Sequence, residues 1–299
     1  MECYELQLYS YASFKDALAA GSSSPARQKL SQLKWVSRPT KLRLCTWKAC
    51  ARKAGGRSLD VEGDQNQKKN EEGPLKGLAP LVVVGSANAD IYVEIDRLPA
   101  PGETIAAHAG RTLPGGKGAN QAACAAHLSH PTFFVGQVGE DAHGNLLRQS
   151  LRTYGVNLEY LNSVTEPTGH AVVMLQPGGQ NSIIIVGGAN VSWTRTKNTS
   201  SHFSPHIQQL ICGAGAILLQ REIPDIVNIE AAKIACSANV PVILDVGGAD
   251  TPIPEEFLQY VSVLSPNETE LARLTGAPVN TIEDCIQAAR QCQKMLFGP

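Results

Sequence analysis

Leu113-Pro-Gly-Gly-Lys-Gly-Ala-Asn-Gln-Ala-Ala123 carries the clearest structural signal in the sequence, because a glycine-rich turn here runs directly into an alanine-rich helix. Glycines in such a turn let backbone N–H groups approach a polar ligand, and Lys117 and Asn120 would add donors from the start of the helix. A Walker A loop would need glycine in place of Arg111 and Ser or Thr in place of Gly118. The segment therefore predicts a polar-ligand loop of another kind, and it does not match a dinucleotide fingerprint either.

A second polar segment, Val84-Gly-Ser-Ala-Asn-Ala-Asp90, follows the first predicted strand and places Asn88 and Asp90 at that strand's carboxyl end. A carboxylate accepts hydrogen bonds from two neighbouring hydroxyls, and an amide both donates and accepts, which suits the recognition of a polyol. The same residues would also fit an Asx turn that caps the strand. Both roles stay open from the residues alone.

Beyond Pro80, short β-branched runs alternate with alanine-rich helical stretches. Such alternation indicates crossover units and predicts an α/β fold with a mostly parallel sheet flanked by helices. The predicted strands cover 81–84, 133–138, 216–219, 240–245 and 262–264, and the predicted helices cover 120–128, 144–153, 223–237, 268–274 and 282–296.

Two stretches interrupt this alternation, and both have the sequence pattern of β-hairpins. Residues 91–95 are followed by 104–112, and residues 171–176 are joined to 182–186 by Pro177-Gly-Gly-Gln180. We expect these strands to form a small separate β-sheet. Because open parallel sheets bind ligands beyond the carboxyl ends of their strands, a small sheet attached there would act as a lid.

Taken in order, these segments resemble the ribokinase branch of the carbohydrate and purine-nucleoside kinase family. The resemblance covers essentially all of residues 80–296. Further segments that match the family are Pro99-Ala-Pro-Gly-Glu-Thr104, Gly136-Gln-Val-Gly-Glu-Asp-Ala-His-Gly144, Gly187-Gly-Ala-Asn190, Leu219-Gln-Arg-Glu-Ile-Pro224 and Ser265-Pro-Asn-Glu-Thr-Glu-Leu271. The turn Asp245-Val-Gly-Gly-Ala-Asp250 departs from the family, which often has an Asn-Pro turn at this place.

The resemblance implies roles for particular residues. Six of them would hold the sugar hydroxyls: Asn88, Asp90, Gly116, Lys117, Asn120 and Glu222. Asn267 would approach the phosphates of the nucleotide, and Glu270 would support magnesium through its water shell. Three of these assignments have an alternative. Asn267 followed by Glu270 also fits a helix capping box, and Glu222 could be a surface charge.

The activity implied by the resemblance is ATP-dependent phosphorylation of D-ribose at the 5-hydroxyl, with Mg²⁺ and K⁺ as cofactors. A non-catalytic ribose-binding or dimer-forming isoform and a related sugar or nucleoside kinase are the alternatives. The family usually dimerises through its lid, so we expect a homodimer.

One departure bears directly on activity. In the family the backbone of a Gly-Ala-Gly-Asp motif stabilises the transferred phosphoryl group, and its Asp takes the proton of the sugar hydroxyl. That motif does not occur in this sequence, which ends after the two predicted helices 268–274 and 282–296 that follow Asn267. We therefore expect residues 80–299 to form an incomplete carbohydrate kinase domain that lacks its carboxyl-terminal part, with no catalytic base and impaired activity.

Residues 1–79 differ in composition from the rest of the chain. No Asp or Glu occurs in 17–59, which contain ten Lys and Arg with several serines, and a polar linker follows. This composition is typical of a transit peptide and predicts a plastid stromal protein, with a cytoplasmic one as the alternative. A basic arm for nucleic acid is the competing interpretation of 17–59, but that stretch has no recognised module or patterned aromatics.

The whole chain has a formal net charge of −1 and eight cysteines with no C-x-x-C spacing. The charge gives no general electrostatic attraction to nucleic acid or to an anionic membrane, so we expect neither as a partner. The longest aliphatic runs are far shorter than the roughly 18 residues that a membrane helix needs. We expect reduced thiols and no zinc site.

Overall fold

The computed structural model describes residues 77–196 and 200–297, so the predicted targeting segment and linker, 1–79, lie almost entirely outside the described residues. Ten strands occur in the described ranges: β1 (Leu81–Val84), β2 (Asn88–Glu94), β3 (Ala109–Gly115), β4 (Thr132–Gly139), β5 (Leu161–Val164), β6 (His170–Leu175), β7 (Asn181–Val186), β8 (Ala216–Gln220), β9 (Val242–Asp245) and β10 (Val263–Ser265).

Seven α-helices accompany these strands in the same ranges. They are α1 (Lys117–His127), α2 (Ala142–Thr153), α3 (Pro205–Cys212), α4 (Asp225–Ser237), α5 (Glu255–Leu258), α6 (Glu268–Thr275) and α7 (Ile282–Phe297). A short 3-10 helix, Gly188–Val191, follows β7. No helix within the described ranges combines the length and the apolar character needed to span a bilayer.

The larger sheet has six strands in the order β10-β9-β8-β1-β4-β5, and every neighbouring pair is parallel. Its central strand β1 is apolar throughout because helices cover both faces of the sheet. Val83 packs in a cluster with Phe134 and Leu147, whereas Val82 and Val84 belong to the cluster on the other face. The predicted parallel sheet flanked by helices is confirmed.

The smaller sheet has four strands in the order β3-β2-β6-β7. Its two outer pairs, β2 with β3 and β6 with β7, are antiparallel as the hairpin pattern predicted. The two pairs are joined by parallel pairing of β2 with β6, so the sheet is mixed. The prediction placed this strand at 104–112, but strand β3 begins only at Ala109 and continues to Gly115.

Sequence reasoning missed three described elements, which are β5, α3 and α5. β5 is short and reads Leu-Asn-Ser-Val, which has neither a β-branched run nor clear alternation. It forms because its backbone extends the sheet beside β4, and Leu161 is buried in the core. Tertiary pairing rather than local propensity therefore decides this strand.

Candidate functional site

The two polar segments singled out in the sequence meet where β1 ends, β2 begins and α1 begins. Strand β2 pairs with β3 so that Asn88 lies opposite Gly115 and Asp90 opposite Leu113. Since residues two apart on a strand face the same side, Asn88 and Asp90 share one face of the small sheet. The turn at Gly115 and Gly116 thus lies directly against both polar residues.

Gly115 and Gly116 are glycines because no side chain fits at either position. A Cβ added to Gly115 would lie 2.1 Å from Oδ2 of Asp90, and one added to Gly116 would lie 2.7 Å from the backbone N of Asn88. Gly116 also has a φ of 90°, which other residues rarely adopt. This close approach places backbone N–H groups and the Asp90 carboxylate around one small space.

Glu222 joins the same space from the end of β8. Its Oε2 accepts from the hydroxyl of Ser86 at 2.5 Å and from the backbone N–H of Lys117 at 2.9 Å. Ser86 Oγ in turn lies 3.3 Å from the backbone N of Gly118, which donates to it. Glu222 is therefore bound into the site by the first turn of α1 rather than extending from the surface, which answers the alternative of a surface charge.

Two carboxylates now share the space, and this changes the acidity of one of them. Burial, together with the negative charge of Glu222, raises the pKa of Asp90 to about 6. A carboxylate in this setting still accepts hydrogen bonds above neutral pH. It gains most from a ligand whose hydroxyls donate to it, because such donors replace the water that burial removes.

The side chain of Lys117 extends towards the end of β9. Its Nζ lies 3.4 Å from Oδ1 of Asp245, and Gln121 donates to Oδ2 of the same carboxylate at 3.0 Å. A Cβ added to Gly247 would contact both Lys117 Nζ and Glu270 Oε1. Lys117 therefore lies between the predicted sugar residues and the predicted nucleotide residues. Asn120 lies one turn further along α1, where its N–H donates to the carbonyl of Gly116.

Asn267 and Glu270 form the capping box that the sequence allowed as an alternative. The side chain of Asn267 accepts from the N–H of Glu270 at 2.8 Å, and the carboxylate of Glu270 accepts from the N–H of Asn267 at 2.8 Å. Glu270 is 8% exposed. The box begins α6 directly after β10, so the amino end of that helix lies at the same edge of the sheet as the other site residues.

Three residues at this edge make contacts that the sequence did not predict. Ser86 holds Glu222, and Asp245 holds Lys117 and Gln121. Arg221, which is 3% exposed, pairs with Asp225 and donates to the carbonyl of Thr251. Side-chain direction decides each of these contacts, and a linear motif contains no information on it.

No group of three or more His, Cys, Asp or Glu side chains suited to a metal ion occurs among residues 77–196 and 200–297. Glu270 is the one predicted metal residue, and both of its carboxylate oxygens bind Asn267. Support of a cation through water is compatible with that arrangement.

The site lies at the carboxyl ends of the parallel strands, beside the small sheet, which is where open α/β sheets bind their ligands. Comparison with protein families identifies the class of protein: the family model described as pfkB family carbohydrate kinase matches residues 79–297. The chain belongs to this family.

Several relatives are ribokinases. The ribokinase of Arabidopsis thaliana is 56% identical over 244 residues, which cover 80% of this chain and 63% of the relative. The ribokinase of Bacillus subtilis is 34% identical over 194 residues, which cover 65% of this chain and 64% of the relative. The chain thus spans slightly less than two thirds of the length of these relatives.

The fold also matches a solved structure. The structure of Arabidopsis thaliana ribokinase complexed with ribose and ATP has a TM-score of 0.67 and 60% identity, and the match covers 73% of this chain and 69% of that chain. The ribokinase-like architecture expected from the sequence is confirmed.

Proposed function

We propose that the protein catalyses the ATP-dependent phosphorylation of D-ribose at the 5-hydroxyl. The observation that carries the proposal is the space between Asp90, Glu222 and the turn at Gly115 and Gly116, in which two carboxylates converge beside the first turn of α1. Neighbouring hydroxyls can donate to a carboxylate and accept from N–H groups at the same time. Similarity to ribokinases of two organisms supports ribose as the sugar.

The sugar would be held by the six residues predicted for it, namely Asn88, Asp90, Gly116, Lys117, Asn120 and Glu222. In support, Asp90 lies against Gly115, Lys117 is bonded through its N–H to Glu222, and Gly116 packs on the backbone of Asn88. The site lies against a face of the small sheet, because Asp90 is itself part of the inner strand β2. Ribose would therefore bind between the two sheets.

ATP with Mg²⁺ would bind at the amino end of α6. Backbone N–H groups and the helix dipole favour anions at such an end, and the capping box orders it. Asn267 would approach the phosphates and Glu270 would hold water molecules of the magnesium ion, which would neutralise charge on the transferred phosphoryl group. Potassium is a prediction that rests on the resemblance alone.

The small sheet would also join two copies of the chain. Its edge strand β7 exposes three consecutive isoleucines, Ile183, Ile184 and Ile185, each more than half exposed, and Val186 follows them. An apolar edge strand with unpaired backbone groups favours pairing with another strand. A homodimer formed through β7 would cover its exposed apolar side chains and its unpaired backbone groups. Analytical ultracentrifugation would support this homodimer if the parent sediments as a dimer and the Ile184→Lys variant as a monomer.

For localisation we propose the plastid stroma, on the strength of the basic, acid-free stretch 17–59. The full chain fused to a fluorescent protein at its carboxyl end should accumulate in plastids of plant cells. A fusion distributed through the cytoplasm would refute this proposal and favour the alternative.

The activity is tested with the purified full chain in the presence of Mg²⁺ and K⁺. Ribose-dependent formation of ADP is the expected result, at a low rate because the sequence lacks the Gly-Ala-Gly-Asp motif with its base, and with complete loss in Asp90→Asn. Ribose binding in calorimetry without ADP formation would favour the non-catalytic ribose-binding alternative. Absence of both, in a sample that is folded by circular dichroism, would refute the proposal; a parallel assay with 2-deoxyribose and nucleosides detects a different substrate.

A further inference from the structure

Asn190 is buried beneath the predicted sugar site, although no role follows from its position in the sequence. Its side chain is 2% exposed and belongs to the short 3-10 helix after β7. Its Oδ1 accepts from the N–H of Ala87 at 2.9 Å, and its Nδ2 donates to the carbonyl of Ala87 at 3.1 Å. The same Nδ2 donates to Oδ1 of Asn88 at 2.7 Å.

The orientation of this amide is determined by the backbone of Ala87. A backbone N–H only donates and a backbone C=O only accepts, so the oxygen of Asn190 must face the first and its nitrogen the second. The remaining N–H of that nitrogen then points at Asn88. Because it is a donor, the atom of Asn88 that faces it must be the oxygen Oδ1.

The surroundings leave no room for another arrangement. A Cβ added to Gly169 would lie 2.1 Å from Nδ2 of Asn190 and 2.6 Å from Oδ1 of Asn88, so the backbone of Gly169 packs directly on this hydrogen bond. Rotation of the Asn88 amide by half a turn would bring two N–H donors together in a buried place. An unsatisfied buried donor is costly, which holds Asn88 in one orientation.

We propose that Asn190 is a positioning residue that orients the Asn88 amide with its NH₂ group towards the ligand. Together with Asp90 on the same face of β2, the site then presents a donor beside an acceptor. It selects a ligand in which one hydroxyl oxygen accepts from Asn88 while a neighbouring hydroxyl donates to Asp90. This inference rests on the proposed sugar-binding function and assigns the polarity of two of its contacts.

The variant Asn190→Asp tests the orientation with almost no change in volume. Its carboxylate still accepts from the N–H of Ala87 but cannot donate to Oδ1 of Asn88, so the Asn88 amide should turn and present its oxygen to the ligand. We expect ribose to bind the full-length variant about tenfold more weakly in calorimetry, the effect of losing one hydrogen bond. Asn162→Asp, at an exposed position of β5, is the control for the added charge.

A double-mutant cycle separates positioning from a general structural effect. In the Asn88→Ala background, Asn190→Asp should change ribose affinity less than twofold, because the side chain through which it acts is absent. An equal loss in both backgrounds, or no loss in the parent, would overturn the inference while ribose binding by the parent still supported the proposed function. Thermal melting shows that each variant is folded.

If the parent protein binds no ribose, the proposed function fails, and the positioning role is judged without ligand. Both side-chain N–H protons of Asn190 are donated and buried, so they should exchange with solvent far more slowly than those of the exposed Asn162. Rapid exchange of both protons in the parent would overturn the inference. The inference is supported if both protons exchange slowly in the parent and only one of them becomes fast in Asn88→Ala.

Discussion

Asp90 should make ribose binding depend on pH in a range where the sugar itself does not titrate. The carboxylate must be ionised to accept hydrogen bonds from hydroxyls, and its pKa is raised to about 6 by burial and then by the charge of Glu222. The apparent dissociation constant for ribose should therefore be constant above about pH 7. Below the pKa it should rise about tenfold for each pH unit, so that binding at pH 5 is about ten times weaker than at pH 7.

Isothermal calorimetry of the full chain with ribose from pH 4.5 to 8 measures this profile directly. Two variants act as controls. Asp90→Asn should bind weakly with no inflection near pH 6, and Glu222→Gln should move the inflection to lower pH because one of the two causes of the raised pKa is removed. An inflection near the ordinary aspartate value of about 4, or a flat profile for the parent, would refute the assignment of Asp90 as the acceptor.

Four further predictions follow from the same contacts. Asp90→Asn should stabilise the fold by about 1 kcal/mol at pH 7 after allowance for solvent screening, because the pKa is higher in the folded than in the unfolded chain; urea unfolding should show that this gain disappears near pH 3.5, where both states are protonated. Gly115→Ala should abolish ribose binding, whereas Gly213→Ala, at a position where φ is −92° and the nearest atom would lie 3.5 Å from the added Cβ, should not; equal binding by the two would contradict the close approach. Asn267→Ala removes the cap of α6 and should lower the free energy of unfolding by about 1 kcal/mol, whereas Asn267→Asp, which can still cap, should lose less in the same denaturant titration. Arg221→Ala leaves Asp225 without its buried partner and should cost about 3 kcal/mol in unfolding free energy, whereas Lys233→Ala, which removes the exposed ion pair of Lys233 with Glu256, should cost less than 1 kcal/mol.

Much of the fold could be predicted because local pattern and tertiary position agree along most of the described chain. Strand β1 is a run of four apolar residues and lies at the centre of the parallel sheet, where both faces are covered. Strand β5 could not be predicted, because it is half polar and is determined by its pairing with β4. Helix α3 was missed although the sequence marks its start, since the side chain of Ser204 caps it and Pro205 is its first residue.

The candidate site was only partly readable for a different physical reason. Glycine turns and polar residues after strands are local features, and they led to Asn88, Asp90 and the turn that contains Gly116, whereas Glu222 was predicted from the resemblance alone. The direction of a side chain depends on which atoms surround it, and this is why the contact of Lys117 with Asp245 and the orientation of Asn88 by Asn190 emerge only in three dimensions. The capping role of Asn267, by contrast, depends on spacing along the chain and was foreseen as an alternative.

The central claim is that ribose binds where the glycine turn meets Asn88, Asp90 and Glu222. A crystal structure of the full chain soaked with ribose tests it most directly. We predict the sugar between Asp90 and the backbone of Gly115 and Gly116, with one hydroxyl oxygen within hydrogen-bond distance of Nδ2 of Asn88. Ribose bound elsewhere, or Asp90 and Glu222 left without contact to a bound sugar, would contradict the account.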